Sequence, residues 1–177
     1  MRVISGKYKG KRFAPPKRFP SRPTTDMAKE ALFSILDARV YFDNLDVLDL
    51  FAGTGNISLE FLSRGVGSVI SVDNHSVSYR YQQKTAEELN DPNWTVLRQD
   101  ALDYLGTVQK KFDIIFADPP FDFEKKNEIA AAVFENELLV EDGILIIEHS
   151  DRVKLSGKYL KKTRNYGGVS FSFFEYD

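Results

Sequence analysis

The chain has 177 residues, 42% of them hydrophobic and 28% charged, with no cysteine. That suits one globular domain of roughly 150 residues plus an appendage and excludes disulfides, thiolate metal sites and cysteine nucleophiles. The net charge of −2 conceals a polarity: residues 1–23 carry eight Lys or Arg and no acid, whereas the remainder holds 16 basic against 26 acidic residues.

No apolar run approaches the roughly 18 residues that span a bilayer, and no signal-peptide core follows Met1. A cytoplasmic location is expected, in keeping with the missing cysteines. Two histidines, His75 and His149, give no zinc pattern, so no metal is expected.

In chain order, the basic segment comes first. Gly6 and Gly10 punctuate short extended pieces, which predicts a hairpin. Tyr8, Phe13 and Phe19 are interleaved with cations, a mixture that suits an unpaired nucleic acid. Lys7, Lys9, Lys11, Arg12 and Arg22 are the candidate contacts to such a polyanion. Pro15, Pro16, Pro20 and Pro23 keep the chain non-helical up to Thr24. Thr25 then caps a helix whose apolar face is Met27, Ala31, Leu32, Ile35 and Leu36. The expected division is a basic arm over 1–24 and a main domain over 25–177.

From Leu45 onward strands and helices alternate. Strands are expected at 46–51, 68–73, 95–99, 112–117 and 143–148, with helices at 57–64, 77–89, 101–110 and 127–134. Such alternation predicts right-handed βαβ units and a parallel sheet covered on both faces. At the end, 159–166 and 169–176 flank Gly167-Gly168, which reads as an antiparallel hairpin.

Chemistry gathers where these strands end. Asp49-Leu50-Phe51-Ala52-Gly53-Thr54-Gly55-Asn56 closes the first strand and opens a helix, the place where a main chain can approach a ligand. A dinucleotide fingerprint would want a third glycine where Ser58 stands. Asp73, with Asn74 after it, closes the second strand about 20 residues later, where a carboxylate suits ribose hydroxyls; a helix cap is its structural alternative. Asp100-Ala101 closes the third, where Asp100 either reaches an adenine amine or caps a helix. Asp118-Pro119-Pro120-Phe121 closes the fourth. Two prolines stop that strand in a stiff turn carrying a carboxylate, carbonyl acceptors and a ring, a set that holds a planar amino group. Four carboxylates along one sheet edge describe a pocket for an adenosine-type ligand plus a polar substrate.

Taken in that order, these motifs resemble those of the S-adenosylmethionine-dependent amino-methyltransferases. The start, Arg2-Val-Ile-Ser-Gly-Lys-Tyr-Lys-Gly-Lys-Arg12, with Arg22-Pro-Thr-Thr-Asp26 and Glu30-Ala-Leu-Phe33, resembles more narrowly the bacterial 16S rRNA guanine-N2 methyltransferases. The resemblance covers nearly the whole chain. It implies a Rossmann-like class I α/β fold with a seven-stranded, mostly parallel sheet and a C-terminal antiparallel hairpin. It also implies S-adenosylmethionine as cofactor, 16S rRNA or the 30S subunit as partner, and a monomer. Phe51 to Gly55 would border the methionine part, Asp73 the ribose, and Asp100 with Ala101 the adenine. Asp118 and the Pro119 carbonyl would accept from the guanine amine, with Phe121 stacked on the base. Where the family often has Glu-Ser after its fifth strand, this chain has Glu148-His149-Ser150.

Two rivals share parts of the pattern. An adenine-N6 methyltransferase of RNA or DNA would use the same pocket edge, and a non-catalytic RNA-binding assembly protein would use the same basic arm. A nicotinamide-dependent dehydrogenase is disfavoured by Ser58 and by the lack of a hydride-site pattern.

Overall fold

The computed structural model describes residues 1–17, 19–20 and 25–177. Arg22, one of the candidate polyanion contacts, lies outside them. The elements run α1 (Asp26–Asp37), β1 (Asp46–Leu50), α2 (Asn56–Ser63), β2 (Ser68–Asp73), α3 (Ser76–Leu89), β3 (Trp94–Arg98), α4 (Ala101–Thr107), β4 (Phe112–Ala117), α5 (Lys126–Glu135), β5 (Leu139–Ser150), β6 (Leu160–Tyr166) and β7 (Val169–Phe174). Thr25 caps α1 as expected, its hydroxyl accepting from the Ala28 amide. β5 starts four residues earlier than the sequence suggests, because Leu139 pairs with Phe112 ahead of a register shift.

The strands form one sheet in the order β3-β2-β1-β4-β5-β7-β6. Neighbours from β3 to β5 are parallel, and β7 is antiparallel to both β5 and β6. The chain winds outward from β1 to β3, returns, and winds the other way through β4 and β5. The strand order therefore reverses between β1 and β4, and such a switch point opens a crevice at the carboxyl ends of the strands.

Both faces are covered. On one, Leu32, Phe33 and Leu36 of α1 and Leu59, Phe61 and Leu62 of α2 pack on Val47, Val69, Ile114, Phe116 and Ile146. On the other, Leu105 of α4 and Ile129 and Val133 of α5 pack on Leu48, Leu50, Ile115, Leu145 and Ile147. Each such fully buried side chain contributes about 1.5–3 kcal/mol, which is why the strands read as near-continuous apolar runs.

The basic N-terminal segment is seated on this body. A single antiparallel bridge joins Arg2 and Arg12, and Val3 enters the core at 2% exposure. The amides of Ile4 and Ser5 donate to the Glu60 carboxylate of α2 (2.9 and 3.0 Å), and the Lys7 amide donates to the Ser63 carbonyl (2.7 Å). Gly6 sits at φ +81°, and a Cβ there would overlap the Ser63 carbonyl, so only glycine lets the segment lie so close. Beneath it, fully buried Lys29 donates to the Arg2 carbonyl (2.6 Å) and to Asn56 Oδ1 (2.8 Å) and faces Glu60 at 3.3 Å. Tyr8 and Phe13, rings that the sequence offers for base stacking, are partly buried against the core.

Candidate active site

The site begins with the register. Leu50 pairs with Ala117, and Ala117 with Ile147, so Asp118 and Glu148, one step further, stand side by side on adjacent strands. Asp49 lies on the same face, since strand side chains alternate with period two. Asp73 joins them from β2, two residues beyond Ser71, the partner of Asp49. Three of the expected carboxylates therefore share one edge and face, and Glu148 completes the four.

The fourth expected acid, Asp100, goes elsewhere. It is the exposed N-cap of α4, its Oδ1 accepting from the amides of Leu102 (2.9 Å) and Asp103 (3.2 Å). The residues on either side of it, Gln99 and Ala101, line the cleft instead.

That cleft has a volume of about 380 Å³ and is bordered by Asp49, Phe51, Ala52, Gly53, Thr54, Asp73, Asn74, Ala101 and Asp118-Pro119-Pro120-Phe121. Asp73 builds its wall: Oδ2 accepts from the Gly53 amide (2.8 Å) and Oδ1 from the His75 amide (2.8 Å). From α3, Gln82 donates to the Gly53 carbonyl (2.8 Å). Gly55 is absent from the lining. At φ +73° its missing Cβ leaves room for the Trp94 ring and the Gln82 side chain, so this glycine serves close packing. Trp94 itself is core, its indole donating to Ser71 Oγ (2.9 Å).

Ser58, which breaks the dinucleotide fingerprint, has a positive task. Its amide (3.0 Å) and hydroxyl (2.5 Å) both donate to Asp49 Oδ2. Burial still dominates, and the Asp49 carboxyl is pushed up to about 7.

Lys126, at the start of α5, is a site residue that sequence reasoning missed. Its ammonium donates to the carbonyls of Pro120 (3.3 Å), Phe121 (3.1 Å) and Phe123. The turn after β4 is thereby pinned from within, while no donor among the described residues reaches the Pro119 carbonyl. Phe123 meets Phe51 edge to face, ring centroids 5.1 Å apart, and Phe51 holds a left-handed φ of +59°. This contact ties the glycine turn to the proline turn and supports a conformation uncommon for a bulky residue.

Asp118 is raised to about 7 by burial, with Lys126 pulling it back. Glu148 is raised further, to about 9, by burial and then by the negative charges of Asp118 and Asp49. Beyond the proline turn lies a second cavity of about 250 Å³, lined by Asp118, Pro119 and Phe121 together with Lys126, Glu148 and Val153. The Asp-Pro-Pro-Phe turn is thus the partition between two cavities. Phe121, 80% exposed, stands at their rim.

The basic candidates lie apart from this edge. Lys7 pairs with Asp91 (2.8 Å), which also accepts from the Tyr8 hydroxyl (2.8 Å). Lys9, Lys11 and Arg12 are exposed. The segment reaches the cleft further on, where Phe19 meets Tyr81 of α3 edge to face at 5.7 Å and Pro20 joins the lining.

Comparison with known proteins agrees with this geometry. The family described as Conserved hypothetical protein 95 matches residues 1–175. The ribosomal RNA small subunit methyltransferase D of Escherichia coli is 30% identical over 148 residues, 84% of this chain and 74% of its own. Its Haemophilus influenzae counterpart is 28% identical over 182 residues, 99% of this chain and 93% of its own. Among solved structures, yhhF of Escherichia coli superposes with a TM-score of 0.85 at 25% identity, covering 100% of this chain and 99% of that one. A 16S rRNA N2 G1207 methyltransferase of Thermus thermophilus, solved with AdoMet and guanosine, shares the fold at a TM-score of 0.68 and 24% identity, over 89% of this chain and 45% of that one. The chain belongs to the family described as Conserved hypothetical protein 95 and is of the ribosomal RNA small subunit methyltransferase D type.

Proposed function

We infer that the protein transfers a methyl group from S-adenosylmethionine to the exocyclic N2 amine of a guanine in 16S rRNA, acting as a monomer on the assembling 30S subunit. The observation that carries this reading is the partition: Asp118, Pro119 and Phe121 border both the cleft of the glycine turn and the smaller cavity beside it. A donor and an acceptor placed on its two sides would meet at Asp118 and Pro119. The names of the ribosomal relatives supply the RNA.

The residues of the larger cleft fit the cofactor. Asp73 retains carboxylate lone pairs for ribose hydroxyls, Gln99 and Ala101 border the adenine end, and Phe51 to Thr54 border the amino-acid end. The buried carboxyl group of Asp49 favours a cationic sulfonium. When bound, S-adenosylmethionine supplies an activated methyl group that needs no metal or nucleophilic residue.

The chain's own residues then have three tasks. The Asp118 carboxylate and the Pro119 carbonyl accept hydrogen bonds from the amine, drawing it toward a tetrahedral shape and stabilising positive charge as it grows. They also fix its line of approach, which is where most of the rate comes from when the electrophile is already activated. Asp118, with its raised proton affinity, suits the proton that the methylated nitrogen releases. Phe121 offers a face for a base turned out of its stack. Residues 1–24 form the RNA-contacting unit, led by Lys9, Lys11 and Arg12.

The test is methylation of 30S particles and naked 16S rRNA that lack the modification, followed by nucleoside mass spectrometry. N2-methylguanosine is expected. N6-methyladenosine would replace the reading with that of an adenine enzyme, and no transfer to either substrate would favour a non-catalytic assembly protein.

A further inference from the structure

Glu148 lies near the end of β5 beside Asp118, and no step described above uses it. It is buried to 8% exposure, and its Oε2 has no hydrogen-bond partner among the described residues. Folded proteins seldom leave a buried polar atom unpaired without a use for it. The side chain borders the smaller cavity together with Asp118, Pro119 and Phe121. Lys126, the nearby cation, gives its hydrogen bonds to three loop carbonyls.

We propose that Glu148 is a specificity residue that reads the N1–H and O6 edge of the target guanine while Asp118 and the Pro119 carbonyl hold its N2 amine. The inference rests on the guanine-N2 reading given above. Among the exocyclic amines of the bases, guanine N2 alone adjoins a ring N–H with a carbonyl beyond it; the adenine and cytosine amines adjoin ring acceptors. A carboxylic acid matches the guanine edge with both oxygens, its carbonyl accepting from N1–H and its hydroxyl donating to O6. An ionised carboxylate would keep the first bond and repel O6.

The surroundings hold the needed proton on Glu148. Asp118 from β4 and Asp49 from β1 face it, and Lys126 from α5 is the cation of the cavity. From β7 the paired residue is Phe171, which carries no charge. His149, the next residue, bonds to the Ser150 carbonyl and to Ser172 Oγ (both 2.8 Å). Burial and the two carboxylates hold Glu148 protonated up to about pH 9. Adjacent parallel strands stand roughly 4.8 Å apart, so two carboxyls near neighbouring strand ends can address neighbouring groups along one edge of the guanine.

The full-length wild type, Glu148→Gln and Glu148→Ala are compared on 30S particles, with S-adenosylmethionine affinity measured by calorimetry as the check on folding. Glutamine keeps one acceptor and one donor in place, so E148Q retains kcat/KM to within roughly threefold. E148A loses about 10- to 100-fold, the worth of one bidentate base contact. The ratio of wild-type to E148Q rates stays level below about pH 8 and falls above pH 9, as the acid ionises. This ratio needs no alanine variant and so tests the proposal even if E148A misfolds. Full activity in E148A, equal damage in E148Q and E148A, or a flat ratio would each overturn the proposal while wild-type N2-methylguanosine left the functional reading intact. A wild-type product other than N2-methylguanosine would overturn both.

Discussion

Buried charge occurs in two regions of this molecule, and the regions treat it in opposite ways. Under the N-terminal segment, Glu60 accepts from the amides of Ile4 and Ser5 and from Arg64 Nε (3.1 Å), and it faces Lys29. Lys29 in turn reaches the Arg2 carbonyl and Asn56. At the strand ends, Asp49, Asp118 and Glu148 share one serine and one lysine, and a Glu148 oxygen is left without a partner. The first cluster is matched in charge and in hydrogen bonds, as a structural site must be. The second is short of both, so its acids hold protons into the neutral range. A surplus of unmatched acid is costly to fold and useful only where a ligand completes it.

The largest expected effect breaks the comparison at Asp118. Replacing it by alanine should lower kcat by about 10³-fold, with S-adenosylmethionine affinity and Tm nearly unchanged, read by single-turnover methylation, calorimetry and thermal melting. A large fall in Tm with activity spared would make the strand-end acids structural after all.

The opposite result is expected of the N-terminal cluster. Glu60→Ala leaves Lys29 buried without its counter-charge, which costs about 3–5 kcal/mol. For a chain of this size that lowers Tm by roughly ten degrees, measurable by calorimetry. The transfer rate per folded molecule at saturating RNA should change little.

Much of this contrast was legible in the sequence, and what was not has a physical reason. An apolar run ending in Asp-Pro-Pro states both a buried strand and its stop, so β4 and its turn are read directly. Glu148 ends a similar run, Ile144-Leu145-Ile146-Ile147, yet no role for it can be read there. Its meaning depends on β5 lying next to β4, and strand order is not written locally. Asp100 is read in part: a carboxylate after a strand and before a helix fits both ligand and cap, and Oδ1 takes the cap. Lys29 and Glu60 were invisible because a charged residue on a helix is usually solvated. Only the docking of the basic segment, through Gly6 and Val3, buries them.

A smaller effect sharpens the comparison through pH. The folded state holds the Glu148 proton up to about pH 9, well above the ordinary value of 4.5. Its pKa is raised on folding, so the folded form binds the proton more tightly, and wild-type stability declines as pH rises from about 4.5 to 9. Glu148→Gln removes that decline. Its stability advantage should open above pH 5, widen toward pH 9 and then level off, amounting to at most about 5 kcal/mol at pH 8. A pH-independent difference would place the Glu148 charge outside the strand-end cluster.

The smallest expected effects belong to the exposed cations, and they separate seating from contact. Lys9, Lys11 and Arg12 are exposed, and the described residues offer them no ion pair, so their charges are available to phosphates. Replacing any one by alanine should lower the slope of log affinity against log salt by about 0.7, the loss of one single-strand phosphate contact. Filter binding of 16S rRNA between 50 and 200 mM salt, a range suited to resolving such slopes, reads this. Lys7 is the internal control. Its ammonium already faces Asp91 at 2.8 Å beside the Tyr8 hydroxyl, so Lys7→Ala should move the slope less and loosen the seated segment instead. Equal slopes for Lys7 and Lys9 variants would mean that the Asp91 pair opens for RNA, making the seat and the contact surface one device.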